Sequence, residues 1–306
     1  RVFLHVFAFQ VFAFQPAVVV RGVRSTAEDD AGAQHAQQQS FVEQRVRALF
    51  CTAETPCYRA APLPSAAEPA LAKGASCYGS GSAKDTAKLT IVTLAAGVPA
   101  DYMTRTMRAG RLREAYEYGY EYCEYDHELD SARDAAWSKV VAIRVLLEHG
   151  RPYVAWMDAD AVFVRHRPFE DITSPYFDAG KSAVFTSDFD EHGEATPHSS
   201  INSGVLVVKN TPWAAKFWKS IWEDFPEALH HPWWEQQAIL LYRSRNFEDF
   251  SANAQIVKHQ LMNAWLQEAN QDGAQAGSFI VHAAGGHSMG KFAELEKLLN
   301  GTRPLV

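Results

Sequence analysis

The sequence predicts an α/β domain built on a mainly parallel sheet, and three observations carry that prediction. Short apolar runs of strand length, Leu89–Leu94 and Val184-Phe185-Thr186 among them, lack the alternation expected of a sheet with one wet face. Longer helical stretches separate them, such as Ala135–His149, which stops at Gly150 with Pro152 just beyond. Trp156-Met157-Asp158-Ala159-Asp160 then puts two carboxylates at the end of an apolar segment, the end at which parallel sheets gather ligands.

The 306 residues suffice for one large domain with appendages. The first twenty are mostly Val, Phe and Ala, with Val-Phe-Ala-Phe-Gln repeated at 6–10 and 11–15. Their length is close to the roughly 20 residues of a membrane span, but His5, Gln10, Gln15 and Pro16 interrupt it. Residues 1–24 therefore read as a signal anchor, a cleaved signal peptide or a mis-annotated start. Residues 25–86 read as a stem or linker, rich in Ala, Gln, Ser and Pro, with only Phe41–Phe50 offering one apolar helical face.

The folded domain is expected over residues 87–306. Leu89–Leu94 reads as a buried strand ending at Ala95-Ala96-Gly97, followed by a helix from about Tyr102 to Tyr118 and by Gly119. A short strand, Tyr120–Tyr125, precedes the helix Ala135–His149 and the strand that carries Asp158 and Asp160. Val184–Thr186 and Gly204–Val208 read as further strands, Trp213–Phe225 and Glu235–Ser244 as helices.

Composition narrows the function. With 47% hydrophobic and 21% charged residues the chain is ordinary globular protein. A net charge of −7 argues against nucleic-acid binding as its main activity. Such a chain needs local compensation to handle an anionic nucleotide, and a metal ion supplies it directly. Cys51, Cys57, Cys77 and Cys123 contain no Cys-x-x-Cys, which removes zinc-ribbon and thioredoxin readings. Their even number permits disulfides in an oxidising lumen, with three connectivities open, and favours a secretory setting. Asn300-Gly301-Thr302 is a glycosylation acceptor sequence. The His-rich loop Asp190–His198 and His230-His231 lack zinc-hydrolase spacing.

Asp158 and Asp160 are the sharpest signal. In a strand, residues i and i+2 point to one side, so the two carboxylates can converge on one hard cation. Buried without a partner they would cost several kcal/mol. Five further groups accompany them in order: Tyr116-Glu117-Tyr118-Gly119-Tyr120-Glu121, Trp137 with Lys139, Asn202 with Gly204, Trp234-Glu235-Gln236, and His282 with Gly285.

This ordered set, spanning roughly residues 88–290, resembles glycosyltransferase family 34, the galactosyl/xylosyl/mannosyltransferases, and shares landmarks with family 8. Met157, Ala283 and Gly286 depart from its pattern, Gly286 standing where a cysteine is expected. The resemblance implies a GT-A fold, that is, a single Rossmann-like domain for nucleotide-diphospho-sugar transfer. It implies a divalent cation (Mn2+ or Mg2+), a nucleotide-sugar donor, a glycan or glycoprotein acceptor and retention of anomeric configuration. A Golgi or secretory-pathway lumen follows, with type II anchoring through the N-terminal segment.

Site roles follow residue by residue. Asp158, Asp160 and His282 form the expected metal set, Asp158 alternatively contacting ribose or the metal through water, and His282 alternatively being a satisfied core imidazole. Thr93 and Tyr102 stand where a nucleobase could lodge. Lys139 and Lys291 are diphosphate contacts, or else a packing lysine and a solvated one. Asn202, Gly204 and Gly285 let backbone approach the donor sugar, although Asn-x-Gly is also an ordinary turn signal. Glu235 would hold the donor or orient the acceptor hydroxyl, Gln236 would lie beneath the anomeric carbon, and Asp188 would accept from a sugar hydroxyl. Glutamine is a poor nucleophile, so front-face substitution fits better than a covalent intermediate. Trp233 is expected exposed for acceptor stacking and Trp234 buried. The rival reading is a catalytically inactive nucleotide-sugar-binding or structural subunit. The donor sugar is a matter of pocket shape, with galactose or xylose on UDP favoured over mannose on GDP.

Overall fold

A computed structural model describes residues 75–79, 88–188, 200–266, 278–285 and 290–302, with side chains through 299. All of them fall in the unit Ala53–Val306. Residues 1–24, Phe41–Phe50, Cys51, Cys57, Asp190–His198 and Gly286, each read above, lie outside the described residues.

Seven strands form the central sheet in the order β1-β3-β2-β4-β7-β6-β8. They are β1 Ala75–Gly79, β2 Thr90–Leu94, β3 Glu121–Tyr125, β4 Tyr153–Met157, β6 Ala183–Ser187, β7 Ile201–Lys209 and β8 Ala254–Val257. The pairs β2–β3, β2–β4 and β6–β8 are parallel, whereas β1 and β7 run against their neighbours. Five strands thus point one way, as the mainly parallel reading required. Gly204–Val208 belongs to a longer strand inserted antiparallel between β4 and β6. That reversal brings the start of β7 to the edge at which β2, β4 and β6 end. A second sheet, β5-β10-β9, comprises β5 Ala161–Phe163, β9 Ala264–Trp265 and β10 Ile280–His282.

The helices explain themselves locally. A short α turn, Ala100–Tyr102, and a π-helical segment, Met103–Met107, lead into α1 Arg108–Tyr118. Gly119 closes α1 in the left-handed conformation, φ 73°, which a side chain would resist. A 3-10 turn, Ala135–Trp137, opens α2 Ser138–Glu148. Then come α3 Glu170–Asp178 and α4 Pro212–Glu223. The latter starts with Pro212 in its first turn and with the Thr211 side chain accepting from Ala214 N at 3.2 Å. The remainder are α5 Trp234–Arg245, α6 Phe247–Asn253, α7 His259–Met262 and α8 Gly290–Thr302.

The main core packs α2, α4, α5 and α6 on the large sheet through side chains such as Ile143, Trp218, Ile239 and Phe250. Each such burial contributes roughly 1.5–3 kcal/mol. A smaller core joins Tyr102, Val162, Val281, Phe292 and Leu295 beneath the second sheet. No helix among the described residues is long and apolar enough to cross a membrane.

One boundary needs correction. Residues 75–79 fall inside the segment read as stem, yet they form the edge strand β1. Cys77 bonds Cys123 across the β1–β3 register, and Tyr78 stacks on Tyr122 at 6.0 Å. A cross-link and an aromatic pair hold a strand whose own sequence, Ala-Ser-Cys-Tyr-Gly, has weak strand character.

Candidate active site

A cleft of about 720 Å³ opens where β2, β4 and β6 end and β7 begins. Asp158 and Asp160 line it, but not from a strand. β4 stops at Met157, and residues 158–160 form a turn into β5. The strand periodicity expected to align the two carboxylates is therefore absent. What aligns them is a turn whose carbonyls are all held from outside. Thr93 Oγ1 donates to Met157 O at 2.6 Å, and Tyr102 Oη to Ala159 O at 3.1 Å. Arg111 Nη2 donates to Asp158 O at 2.7 Å and to Ala161 O at 3.2 Å, and Ala283 N to Asp160 O at 3.0 Å. Trp156 Nε1 donates to Asp158 Oδ1 at 2.6 Å.

Thr93 and Tyr102 thus work behind the turn, and neither is among the residues that line the cleft. Both are buried, and Tyr102 packs on Phe292 with ring centroids 4.5 Å apart. Their hydroxyls are consumed by the turn.

His282, at the end of β10, faces the same turn. Its Nε2 lies 3.2 Å from Asp160 Oδ1 and 3.8 Å from Asp158 Oδ2, and its Nδ1 lies 2.9 Å from Asn263 Oδ1. Burial of the ring opposes its charging, but Asp160 and Asp158 prevail and raise its pKa. Burial likewise works against ionisation of Asp160, and His282 and Lys291 overcome it, holding that carboxyl well below the ordinary range. Lys291, at the start of α8 and half-buried, reaches Asp160 Oδ2 at 2.5 Å. Gly204 lies directly against the imidazole: a Cβ there would sit 2.1 Å from His282 Cε1. Its glycine makes room for a histidine of this chain, beyond any approach to donor sugar. Gly285 and Asn202 also line the cleft.

On the opposite wall α5 presents Glu235 and Gln236. Lys139, buried on α2, gives to Glu235 Oε1 at 2.5 Å and to Ser203 Oγ at 3.1 Å, and lies 3.4 Å from Asp158 Oδ1. Burial disfavours its charge, but Asp158 and Glu235 raise its pKa. This lysine is a buried bridge between the acidic turn and Glu235. Ser203 gives its backbone N–H to Gln236 Oε1 at 3.0 Å, pinning that side chain at the cleft. The helix start is strained: Trp234 has φ 42°, unusual for a bulky residue. Trp233 is 54% exposed as expected, and Trp234 is half-buried against the main core. Asp188 closes the far end, its pKa raised by burial against a 3.3 Å hydrogen bond from Asn202 Nδ2.

Asp158, Asp160, His282, Lys139, Lys291, Asn202, Gly204, Gly285, Asp188, Glu235 and Gln236 all meet in this one cleft. Asn263, Ser203, Arg111 and Trp265 escaped sequence reasoning. The ligand atoms of Asp158, Asp160 and His282 all lie within 4.8 Å of one another. Two carboxylates and one imidazole without thiolate suit Mg2+ or Mn2+. The donor set therefore fits a divalent cation.

Residues 184–293 match the model of the galactosyl transferase GMA12/MNN10 family. The chain is also similar to the crystal structure of a glycosyltransferase involved in the glycosylation of the major capsid of PBCV-1. That likeness has a TM-score of 0.51 at 13% identity and covers 68% of this chain and 98% of the other, and so concerns the fold. No curated protein sequence matches the chain. The fold is GT-A-like, residues 184–293, which match that family model, supply Asp188, Glu235, Gln236 and His282 to the cleft, and the protein is a glycosyltransferase.

Proposed function

We propose that this glycosyltransferase moves a hexosyl or pentosyl unit from a nucleotide-sugar to a glycan hydroxyl with retention of configuration, using a divalent cation held by Asp158, Asp160 and His282. UDP-galactose and UDP-xylose are the favoured donors, with GDP-mannose third. The observation that carries the reading is the convergence of that donor set with Lys139, Glu235, Gln236 and Asp188 in one cleft. When bound, the cation, best supplied as Mn2+, neutralises charge growing on the leaving diphosphate.

The chain's own groups do the rest. Lys291, half-buried and paired with Asp160, is placed to turn from that carboxylate to a phosphate oxygen. Lys139 gives to Glu235 Oε1 and so holds that side chain at the cleft, leaving Glu235 to accept hydrogen bonds from sugar hydroxyls. Gln236 keeps its amide nitrogen for the reacting face, because its oxygen already accepts from Ser203. No carboxylate nucleophile is required: the sugar–phosphate bond breaks as the acceptor oxygen bonds the same face of the anomeric carbon. The acceptor proton passes to the departing phosphate oxygen.

The Cys77–Cys123 disulfide supports an oxidising, secretory-lumen location, with residues 1–24 as the type II anchor. The test is release of nucleoside diphosphate by the full chain with Mn2+, across UDP-galactose, UDP-xylose, UDP-glucose and GDP-mannose. Mn2+-dependent release from one donor, lost in Asp160→Ala, is the expected result. Metal-dependent binding without turnover, with acceptor glycans present, would instead favour a binding subunit.

A further inference from the structure

Asn263 was invisible as a site residue, yet it touches three groups of the cleft's inner wall. It is 2% exposed, and Thr186, Asn202 and His282 around it are 0%, 7% and 4% exposed. With water excluded, the direction of each hydrogen bond follows from the groups themselves.

The backbone N–H of Gly204 can only donate, and it gives to Asn202 Oδ1 at 2.9 Å. That atom is therefore the oxygen of Asn202. A second donor to it at 2.9 Å must be the amide nitrogen of Asn263. The same nitrogen gives to Thr186 Oγ1 at 2.8 Å, whose own hydrogen goes to the Asn202 carbonyl at 3.1 Å. Asn263 consequently turns its oxygen toward His282, and Nδ1 at 2.9 Å must carry the hydrogen. The neutral ring held this way has its lone pair on Nε2, the atom facing Asp160 and Asp158. At the other end Asn202 Nδ2 faces a carboxylate, Asp188, which can only accept when ionised. Two fixed polarities, a backbone donor and a terminal acceptor, agree on every bond between them.

We infer that Asn263 is a positioning residue that sets the ring orientation and the tautomer of His282 for cation binding, and that through Asn202 it joins the cation site to Asp188 in one polarised relay. The inference rests on the reading of Asp158, Asp160 and His282 as a cation site. Hydrogen-bond partners of metal-ligating histidines fix tautomer and basicity, and losing them typically costs about 10–100-fold in affinity. Asn263→Ala should then weaken Mn2+ binding by about that factor.

The experiment is done on the full chain in two arms. In the first, 15N-histidine NMR of the metal-free protein at alkaline pH, where the ring is neutral, reads the His282 tautomer, assigned with His282→Gln. The relay demands hydrogen on Nδ1 in the wild type; hydrogen on Nε2 overturns it, whatever happens to metal. In the second, Mn2+ alone is titrated by electron paramagnetic resonance into wild type, Asn263→Ala and Asn263→Asp. The Asp variant keeps an acceptor for Nδ1–H and should bind more tightly than the Ala variant. Equal affinity of Asn263→Ala and wild type overturns the positioning role. A wild type that binds no Mn2+, even with UDP or GDP present, overturns the cation reading instead, and the tautomer arm still decides the relay. The tautomer arm needs no variant at position 263 to fold.

Discussion

Gly204→Ala is the smallest change that should disable the cation site. Gly204 has no Cβ, and one built on its backbone would lie 2.1 Å from His282 Cε1, 2.6 Å from His282 Nδ1 and 2.9 Å from Asn202 Oδ1. Unstrained carbon contacts are about 3.5 Å, so the ring would have to withdraw by roughly 1.4 Å. A withdrawal that large breaks the 2.9 Å hydrogen bond to Asn263 and carries Nε2 away from Asp160. Overpacking of this kind costs about 1–3 kcal/mol, and each kcal/mol lowers Tm by about 2–4 °C in a chain of this size. Mn2+ affinity should fall by about 10–100-fold, and misplacement of a reacting group by 1 Å can cost about 10²-fold in turnover. Thermal denaturation and Mn2+ titration of the variant check both effects. A Gly204→Ala protein with wild-type Mn2+ affinity and wild-type donor hydrolysis would refute the packing argument, because no alanine fits the present positions of Gly204 and His282.

Other perturbations separate structural roles from chemical ones. Lys139→Met strands Glu235, whose Oε2 already has no hydrogen-bond partner among the described residues. Breaking a buried ion pair from one side should cost about 3–5 kcal/mol in denaturant unfolding, and Lys139→Met/Glu235→Leu should recover most of it; a double variant no more stable than the single would contradict the pairing. Asp188→Asn should stabilise the protein at neutral pH while impairing transfer. Burial raises the Asp188 pKa, so its folded form takes up a proton before the unfolded one does. Its ionised form therefore penalises folding above the folded pKa, and the penalty disappears as pH falls to the unfolded value near ~3.9; unfolding free energies of the two proteins should converge there, and a constant gap would argue against the linkage. Cys77→Ser/Cys123→Ser removes a cross-link over a sequence separation of 46, worth about 4 kcal/mol on the chain-entropy account. An unchanged unfolding midpoint under reducing and oxidising conditions would contradict it.

Much of the sheet was legible because its strands are buried on both faces and so appear as apolar runs: β2 and β6 were found nearly to the residue. Helix stops were equally legible, since Gly119 and Gly150 both carry positive φ. β1 was missed because its place depends on partners 46 residues away rather than on its own composition. Asp158 and Asp160 were rightly singled out but placed on a strand, because the donors that hold the turn, Thr93, Tyr102 and Arg111, come from distant segments. Thr93 and Tyr102 drew attention for a different role, and Arg111 drew none, since a lone arginine on a helix normally signals solvent. Asn263 had no motif around it: 61 residues separate it from Asn202 and 19 from His282. Ser203 stood inside a noted motif and was passed over, its backbone N–H being the functional group. Chemistry-bearing carboxylates are visible because burying them needs a reason; the neutral amides and hydroxyls that orient them are common everywhere.

Calorimetric titration of UDP, and separately GDP, into the full chain with and without Mn2+ tests the cation site most directly. One of the two nucleotides should bind only when Mn2+ is present. That binding should be lost in both Asp160→Ala and His282→Ala, with their unfolding remaining cooperative. Nucleotide binding that is indifferent to Mn2+, or that survives intact in both variants, would contradict the assignment of Asp158, Asp160 and His282 as the cation's ligands.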